Sequence, residues 1–251
     1  MLRNIFGNLN VVTKNLLIIN VLFFLAKIVF ENKGVNMNAI LAMHYPDSTL
    51  FYPHQIISCF FMHGSISHLL LNMIGVVLVG NHLEAYWGSK RYLIFYVLCA
   101  IGGTVCSTLY HGFEMYQIAG TFFPNIDVNV EMFSTPQGFM YSYQLTDLKG
   151  YTEVQIGQIM DLYMGSELGA SGALFGVLMA FALLFPNTEF MLLFPPIPIK
   201  AKWLALILGV GSLYAGFTGA IPGIGHFAHL GGMLFGYLII KYWQKDRSQF
   251  Y

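Results

Sequence analysis

Glu167-Leu168-Gly169-Ala170-Ser171-Gly172-Ala173-Leu174-Phe175-Gly176 sets one hydroxyl between two glycines at the start of an apolar run that reaches Phe185. Such a run reads as a membrane helix, and Ser171 stands just inside its first turn. Gly172 and Gly176 have the G-x-x-x-G spacing that lets membrane helices approach closely, so a serine here is ordinarily a packing residue. Ser171 becomes a chemical candidate only if other polar groups reach the same depth.

The rest of the chain supports the membrane reading. Of its 251 residues 56% are hydrophobic and 10% charged, which is no soluble composition. Twelve Lys and Arg balance twelve Asp and Glu, and no basic cluster exceeds a few residues, so nucleic acid is excluded as a partner. Cys59, Cys99 and Cys106 are odd in number. The last two lie seven residues apart on one face of an apolar run, where thiols act as small hydrophobes. With no C-x-x-C and no H-E-x-x-H, neither a metal nor a cofactor is expected.

Six apolar runs can be drawn, at about 12–30, 66–83, 90–110, 168–185, 201–218 and 226–243. The first follows Arg3 and Lys14 like a signal peptide. It is expected to be a retained span, because only Glu31-Asn32-Lys33-Gly34 follows and no small-x-small cleavage site. If the N-terminus is cytoplasmic, Arg3, Lys14, Lys90, Arg91, Lys200, Lys202, Lys241, Lys245 and Arg247 are all inside, against Lys33 and Lys149 outside. Both termini are then cytoplasmic. The expected fold is an all-α membrane protein, a six-helix bundle forming one domain over residues 1–251.

Two connections are more than linkers. Residues 31–65 hold amphipathic pieces at Asn38–Met43 and His54–Met62, expected at the membrane interface and folded against the bundle. Residues 112–167 form a long external insert. At its end Thr152-Glu153-Val154-Gln155 fits a capping box, and Ile156, Ile159, Met160 and Tyr163 share a face, which predicts a short amphipathic helix. The loop 186–200, with Phe194-Pro195-Pro196-Ile197-Pro198, is expected to be cytoplasmic and stiffened by proline. No internal repeat is visible, which argues against an inverted-repeat transporter.

In this topology the second, fourth and sixth runs all enter from outside, so His68 and Asn72, Ser171, and His229 share one layer near the outer face. Ionisable groups buried in a bundle are costly and mark function. A serine hydroxyl needs a base within hydrogen-bond reach, and the imidazole of His229 is the natural one. His226, one turn earlier, is a rival base nearer the loop. An acyl-transfer intermediate carries an oxyanion, to which His68, Asn72 and the Ser171 N–H can donate. Glu167 and Asp161 precede the fourth run and Glu84 ends the second at the opposite side, so a Ser-His dyad is expected rather than a triad.

Four motifs in this order, Phe61-Met62-His63-Gly64-Ser65-Ile66-Ser67-His68-Leu69-Leu70-Leu71-Asn72-Met73, Glu84-Ala85-Tyr86-Trp87-Gly88, Gly169 to Gly176 and Ala228-His229-Leu230-Gly231-Gly232-Met233-Leu234-Phe235-Gly236, resemble the rhomboid family of intramembrane serine proteases. The resemblance implies Ser171 as nucleophile, His229 as general base and His68 with Asn72 as the oxyanion pair. It also implies Gly169 and Gly172 beside the nucleophile, and Gly232 and Gly236 in close packing of the sixth helix on the fourth. Where many relatives carry a Trp-Arg pair, residues 31–65 have neither type, and Tyr86 stands where the family's Glu-x-Arg has its arginine. The expected function is an intramembrane serine endopeptidase that cuts membrane-anchored protein helices in the lipid bilayer of the cell (inner) membrane. An inactive rhomboid-like adaptor, or a transporter or channel built on the same polar layer, is the alternative.

Overall fold

The computed structural model describes residues 9–124, 126–135, 138–146, 150–191 and 196–245. Arg3, Lys149, Arg247 and the Phe194-Pro195 part of the proline loop lie outside them. The elements in order are α1 (Val11–Glu31), α2 (Met37–Leu41), α3 (Gln55–Ser58) with a 3₁₀ turn (Cys59–Phe61), α4 (Ile66–Gly75), which runs through a π-helical turn (Val76–Gly80) into α5 (Asn81–Trp87), and α6 (Ser89–Ala119). Then come β1 (Asp127–Thr135), β2 (Gly138–Thr146), α7 (Glu153–Met164), α8 (Ser171–Leu184), β3 (Glu189–Met191), β4 (Pro198–Lys200), α9 (Ala201–Thr218) and α10 (His226–Lys245).

Among the described residues four helical stretches are long and apolar enough to cross a bilayer: Val11–Glu31, Ile66–Trp87, Ser89–Ala119 and Ala201–Thr218. Ser171–Leu184 is apolar but only 14 residues long, and α10 has 20 residues with histidines in its first turn and lysines near its end. The fourth run is shorter than its apolar stretch because Gly169 turns the chain at φ +126° just before it. It stops before Phe185-Pro186, where the coming proline disfavours helix.

The all-α expectation needs correcting. β1 and β2 pair antiparallel from Asp127↔Thr146 to Thr135↔Gly138, inside the insert, and β3 pairs β4 from Glu189↔Lys200 to Met191↔Pro198, inside the proline loop. Alternation such as Val128-Asn129-Val130-Glu131 is strand periodicity, enriched in β-forming types. Among the described residues the other named elements are helices, with one isolated bridge between Met43 and Glu167.

The chain divides into two compact units. The first takes residues up to Val21, His63–Ser107 and everything from Gly169. Its centre is α8 against α10, with Leu178 and Ala182 packed on Ala205 of α9 and Met233 of α10. Gly232 makes this approach possible, since a Cβ there would stand 1.9 Å from the Gly172 carbonyl oxygen. Gly236 repeats the approach one turn on, 2.7 Å from Gly176 O. Glu84 closes the other end of this unit: it accepts from Val12 N–H (2.8 Å), Thr13 N–H (2.7 Å), Thr13 Oγ1 (2.8 Å) and Ser89 Oγ (2.6 Å). A buried carboxylate thereby caps the first turn of α1, where the helix dipole favours negative charge.

The second unit takes Leu22–Met62 and Thr108–Leu168. Tyr45, Met115, Ile126, Ile159 and Tyr163 form its core. The capping box is present, with Gln155 N–H donating to Thr152 Oγ1 and Thr152 N–H to Gln155 Oε1, and Ile159 and Tyr163 on the expected face are fully buried. The Tyr163 hydroxyl donates to the Asp47 carboxylate; burial first, then that carboxylate, push the phenol above its ordinary range. In residues 31–65, which lack Trp and Arg, buried Gln55 organises the backbone. Its Nε2 donates to Leu50 O (2.8 Å) and Ala39 O (3.1 Å), and its Oε1 accepts from Tyr52 N–H (3.2 Å).

Candidate active site

All the sequence-derived candidates fall in the first unit, at the N-terminal ends of α4, α8 and α10. The Ser171 hydroxyl lies 2.8 Å from Nε2 of His229, fifty-eight residues away in sequence. Close packing is the cause: Gly172 sits one residue after the serine and Gly232 three after the histidine, and it is at this pair that the two backbones meet. Gly103 of α6 extends the contact, since a Cβ there would lie 2.7 Å from Ala228 O and 3.4 Å from Gly172 Cα.

The helix that carries Ser171 also supplies a stacking partner for the His229 ring. Phe175, one turn after Ser171, stacks on it with ring centroids 4.0 Å apart and planes 11° from parallel. Sequence reading missed this residue, although its spacing of four from Ser171 was a signal that both side chains face the same way. His226 does not compete for the hydroxyl: its Nε2 is 3.1 Å from Ile221 O, and its ring stands edge-on to His229 at 6.2 Å.

His68 occupies the other flank. A Cβ on Gly169 would come 2.8 Å from His68 Nε2 and 3.7 Å from Ser171 Oγ, so the imidazole and the hydroxyl converge on the space that Gly169 leaves open. Ser65 caps α4 by accepting from His68 N–H at 3.1 Å, which places His68 in the first turn. His63, fully buried, meets the His68 ring edge-on at 5.0 Å. It lies inside the first motif, yet its support of His68 was not read from the sequence.

Asn72 is buried one turn further along, and its Nδ2 donates to His68 O at 2.9 Å. That bond uses one of two amide protons. The structure thus pairs Ser171 with His229 directly, brings His68 to the same point, and ties Asn72 to the His68 backbone.

Backbone donors are also present. The first i→i−4 bond of α8 runs from Leu174 N–H to Ala170 O at 3.0 Å, so the N–H groups of Ser171, Gly172 and Ala173 precede the helical ladder. A helix N-terminus favours negative charge. The arrangement offers a base to a hydroxyl, and donors to an oxyanion forming beside it. Among the described residues no cluster of His, Cys, Asp or Glu could hold a metal ion.

Comparison with known proteins gives the family. The family model described as Eukaryotic integral membrane protein (DUF1751) matches residues 14–250. The chain is 27% identical over 199 residues to Rhomboid protein 1, mitochondrial, of Saccharomyces cerevisiae, covering 78% of this chain and 44% of that protein. To RHOMBOID-like protein 4 of Arabidopsis thaliana it is 22% identical over 185 residues, 74% of this chain and 32% of that protein. The chain therefore spans less than half the length of these two relatives. The Rhomboid protease GlpG of Haemophilus influenzae is 24% identical over 192 residues, 72% of this chain and 94% of that protein. With the family match running over nearly its whole length, the chain belongs to the rhomboid family of integral, multi-pass membrane proteins.

Proposed function

We propose that this chain is an intramembrane serine endopeptidase, with Ser171 as nucleophile and His229 as general base. The observation that carries the reading is the 2.8 Å approach of His229 Nε2 to the Ser171 hydroxyl across two helices. In this reading residues 1–251 act as one membrane domain of six spans with both termini cytoplasmic, and 112–167 is an external insert. A helix of 14 residues is about 21 Å long, less than the ~30 Å hydrocarbon thickness, so α8 sets Ser171 below the outer surface.

The substrate is a membrane-anchored protein helix that unwinds locally, since a helical peptide bond is shielded by its own hydrogen bonds. Ser171 Oγ attacks the peptide carbonyl carbon while its proton passes to His229 Nε2. The N–H groups at the start of α8, with His68 and Asn72, receive the oxyanion. As the tetrahedral intermediate collapses, the C–N bond breaks and His229 returns the proton to the leaving amine, which leaves an ester on Ser171. Water, deprotonated by His229, hydrolyses that ester and restores the hydroxyl. Phe175 holds the imidazole plane, and no carboxylate is needed in this scheme.

A serine-directed mechanism-based inhibitor tests the proposal. Adduct mapping on the purified chain is expected to find the label on Ser171 and to lose it in His229→Ala. Ser171→Ala is expected to abolish cleavage of a membrane-anchored substrate. Substrate binding without label or cleavage would identify an inactive adaptor, and solute flux in liposomes that survives Ser171→Ala would identify a transporter. The membrane is proposed to be the cell (inner) membrane; the yeast relative is named mitochondrial, and fractionation of the native host decides.

A further inference from the structure

The end of the first unit opposite the serine has its own chemistry. Ring contacts gather it: Trp87 meets Trp243 at 5.4 Å and Tyr86 meets Phe185 at 5.3 Å, so the C-terminal ends of α5, α8 and α10 lie together. The start of α9 joins them, since Lys202 N–H donates to Pro186 O at 3.3 Å. All three tryptophans of the chain, Trp87, Trp203 and Trp243, are at this end. Indoles concentrate at the headgroup level of a bilayer.

Among the described residues Lys90, Arg91, Lys202, Lys241 and Lys245 stand exposed at this end, with Lys14 and Lys200 near them. Among the described residues none of them has a carboxylate within ion-pair distance, because Glu84 is buried under its own four donors and Glu189 stands across the β3–β4 pair from Lys200. Three rest on aromatic faces instead: Arg91 4.1 Å from the centroid of Trp243, Lys202 5.7 Å from that of Trp203, and Lys241 5.6 Å from that of Tyr237. An aromatic face holds a cation in place without neutralising it. Exposed positive charge that no described carboxylate pairs, set among indoles at the ends of membrane helices, is complementary to negative charge at headgroup depth.

We propose that the surface of Lys90, Arg91, Lys202, Lys241 and Lys245 binds anionic phospholipid headgroups. The lipid supplies the counter-charge that the protein withholds, with Arg91, flat on Trp243 between α6 and α10, as the contact held most closely. Bound lipid then fixes which end of the unit faces the anionic leaflet and keeps the serine end at the other.

The tryptophans provide the probe, since all three report from this surface. The full-length chain is reconstituted in vesicles of brominated phosphatidylglycerol, brominated phosphatidylcholine and mixtures of the two, and quenching of tryptophan fluorescence gives their relative binding. Phosphatidylglycerol is expected to be preferred, with the preference falling about fivefold for each headgroup-contacting charge removed. The variant Lys90→Gln/Arg91→Gln/Lys241→Gln/Lys245→Gln should lose it, and Ser171→Ala should keep it whether or not the chain proves to be a protease. Raising salt to ~1 M should erase the preference in the parent chain, which requires no variant to fold. Equal quenching by the two lipids in the parent chain at low salt, or a preference untouched by high salt, overturns the proposal.

Discussion

The two ends of the first unit share almost no chemistry. At the N-terminal ends of α4, α8 and α10 stand glycines, a serine, an asparagine, histidines and Phe175, and backbone is packed on backbone at Gly172 and Gly232. At the opposite end α5, the starts of α6 and α9, and the last turns of α10 carry cations and indoles, and a buried glutamate caps α1. One end is dense because a 2.8 Å contact between helices needs backbones that cannot shift. The other end is charged and exposed, as the proposed headgroup surface requires. Precision at the first should therefore fail on the smallest added volume, whereas the second should lose stability or lipid preference and keep its chemistry.

Gly232→Ala is the harshest way to try that contrast. A Cβ at 1.9 Å from Gly172 O forces α10 away from α8. Overpacking of this kind costs roughly 1–3 kcal/mol, and a shift of about 1 Å at a reacting pair costs on the order of a hundredfold in rate. Substrate cleavage should fall at least that far while the melting temperature drops. A fully active Gly232→Ala enzyme would show that the serine end is not held by this contact.

His68→Ala and Asn72→Ala come next. Each should lower turnover about tenfold to a thousandfold, the range for a lost oxyanion donor. Because both side chains are read as donors to one oxyanion, the double variant should cost less than the two singles combined. Full activity in both singles would leave the oxyanion to the α8 backbone alone.

These residues differ in how far the sequence disclosed them. Ser171, His229, His68 and Asn72 were legible because helix period and topology give polar residues in apolar runs a common depth, and the motif order names them. Phe175 and His63 were not, since an aromatic in an apolar run and a histidine in a loop look like core until their rings are placed. Helix ends were legible where local chemistry sets them, as at Thr152 and Gln155. The start of α8 was not, because it depends on the backbone turn at Gly169. The insert hairpin was missed for a different reason: pairing joins residues up to nineteen apart, Asp127 with Thr146, and only alternation hints at it. The Glu84 cap joins residues seventy-one apart, which no local reading reaches.

Glu84→Ala carries the comparison to the charged end. Removing the carboxylate strands the Val12 and Thr13 N–H groups and the Thr13 and Ser89 hydroxyls, and a buried donor left unmade costs about 1–3 kcal/mol. Thermal unfolding should move down by several degrees. The rate constant for cleavage by the protein that remains folded should hold, because the cap is at the far end of these helices from Ser171. A large loss of rate at unchanged stability would mean that the two ends are coupled.

The smallest effect is expected from a histidine in neither end, and it serves to locate any acid sensitivity. Burial pushes His44 of the second unit below its ordinary value, against weaker opposing bonds to Gln55 and Ala42. Its folded pKa is thus the lower one, so the unfolded chain takes up the proton first. The stability this contributes is fully present above the ordinary histidine value of about 6.5 and is lost as pH falls through the folded value. Chemical denaturation of the parent chain from neutral to mildly acidic pH should show that decline, and His44→Gln should flatten it. An acid decline that His44→Gln leaves untouched would assign the sensitivity to groups other than this imidazole, buried hydrogen-bonded carboxylates included.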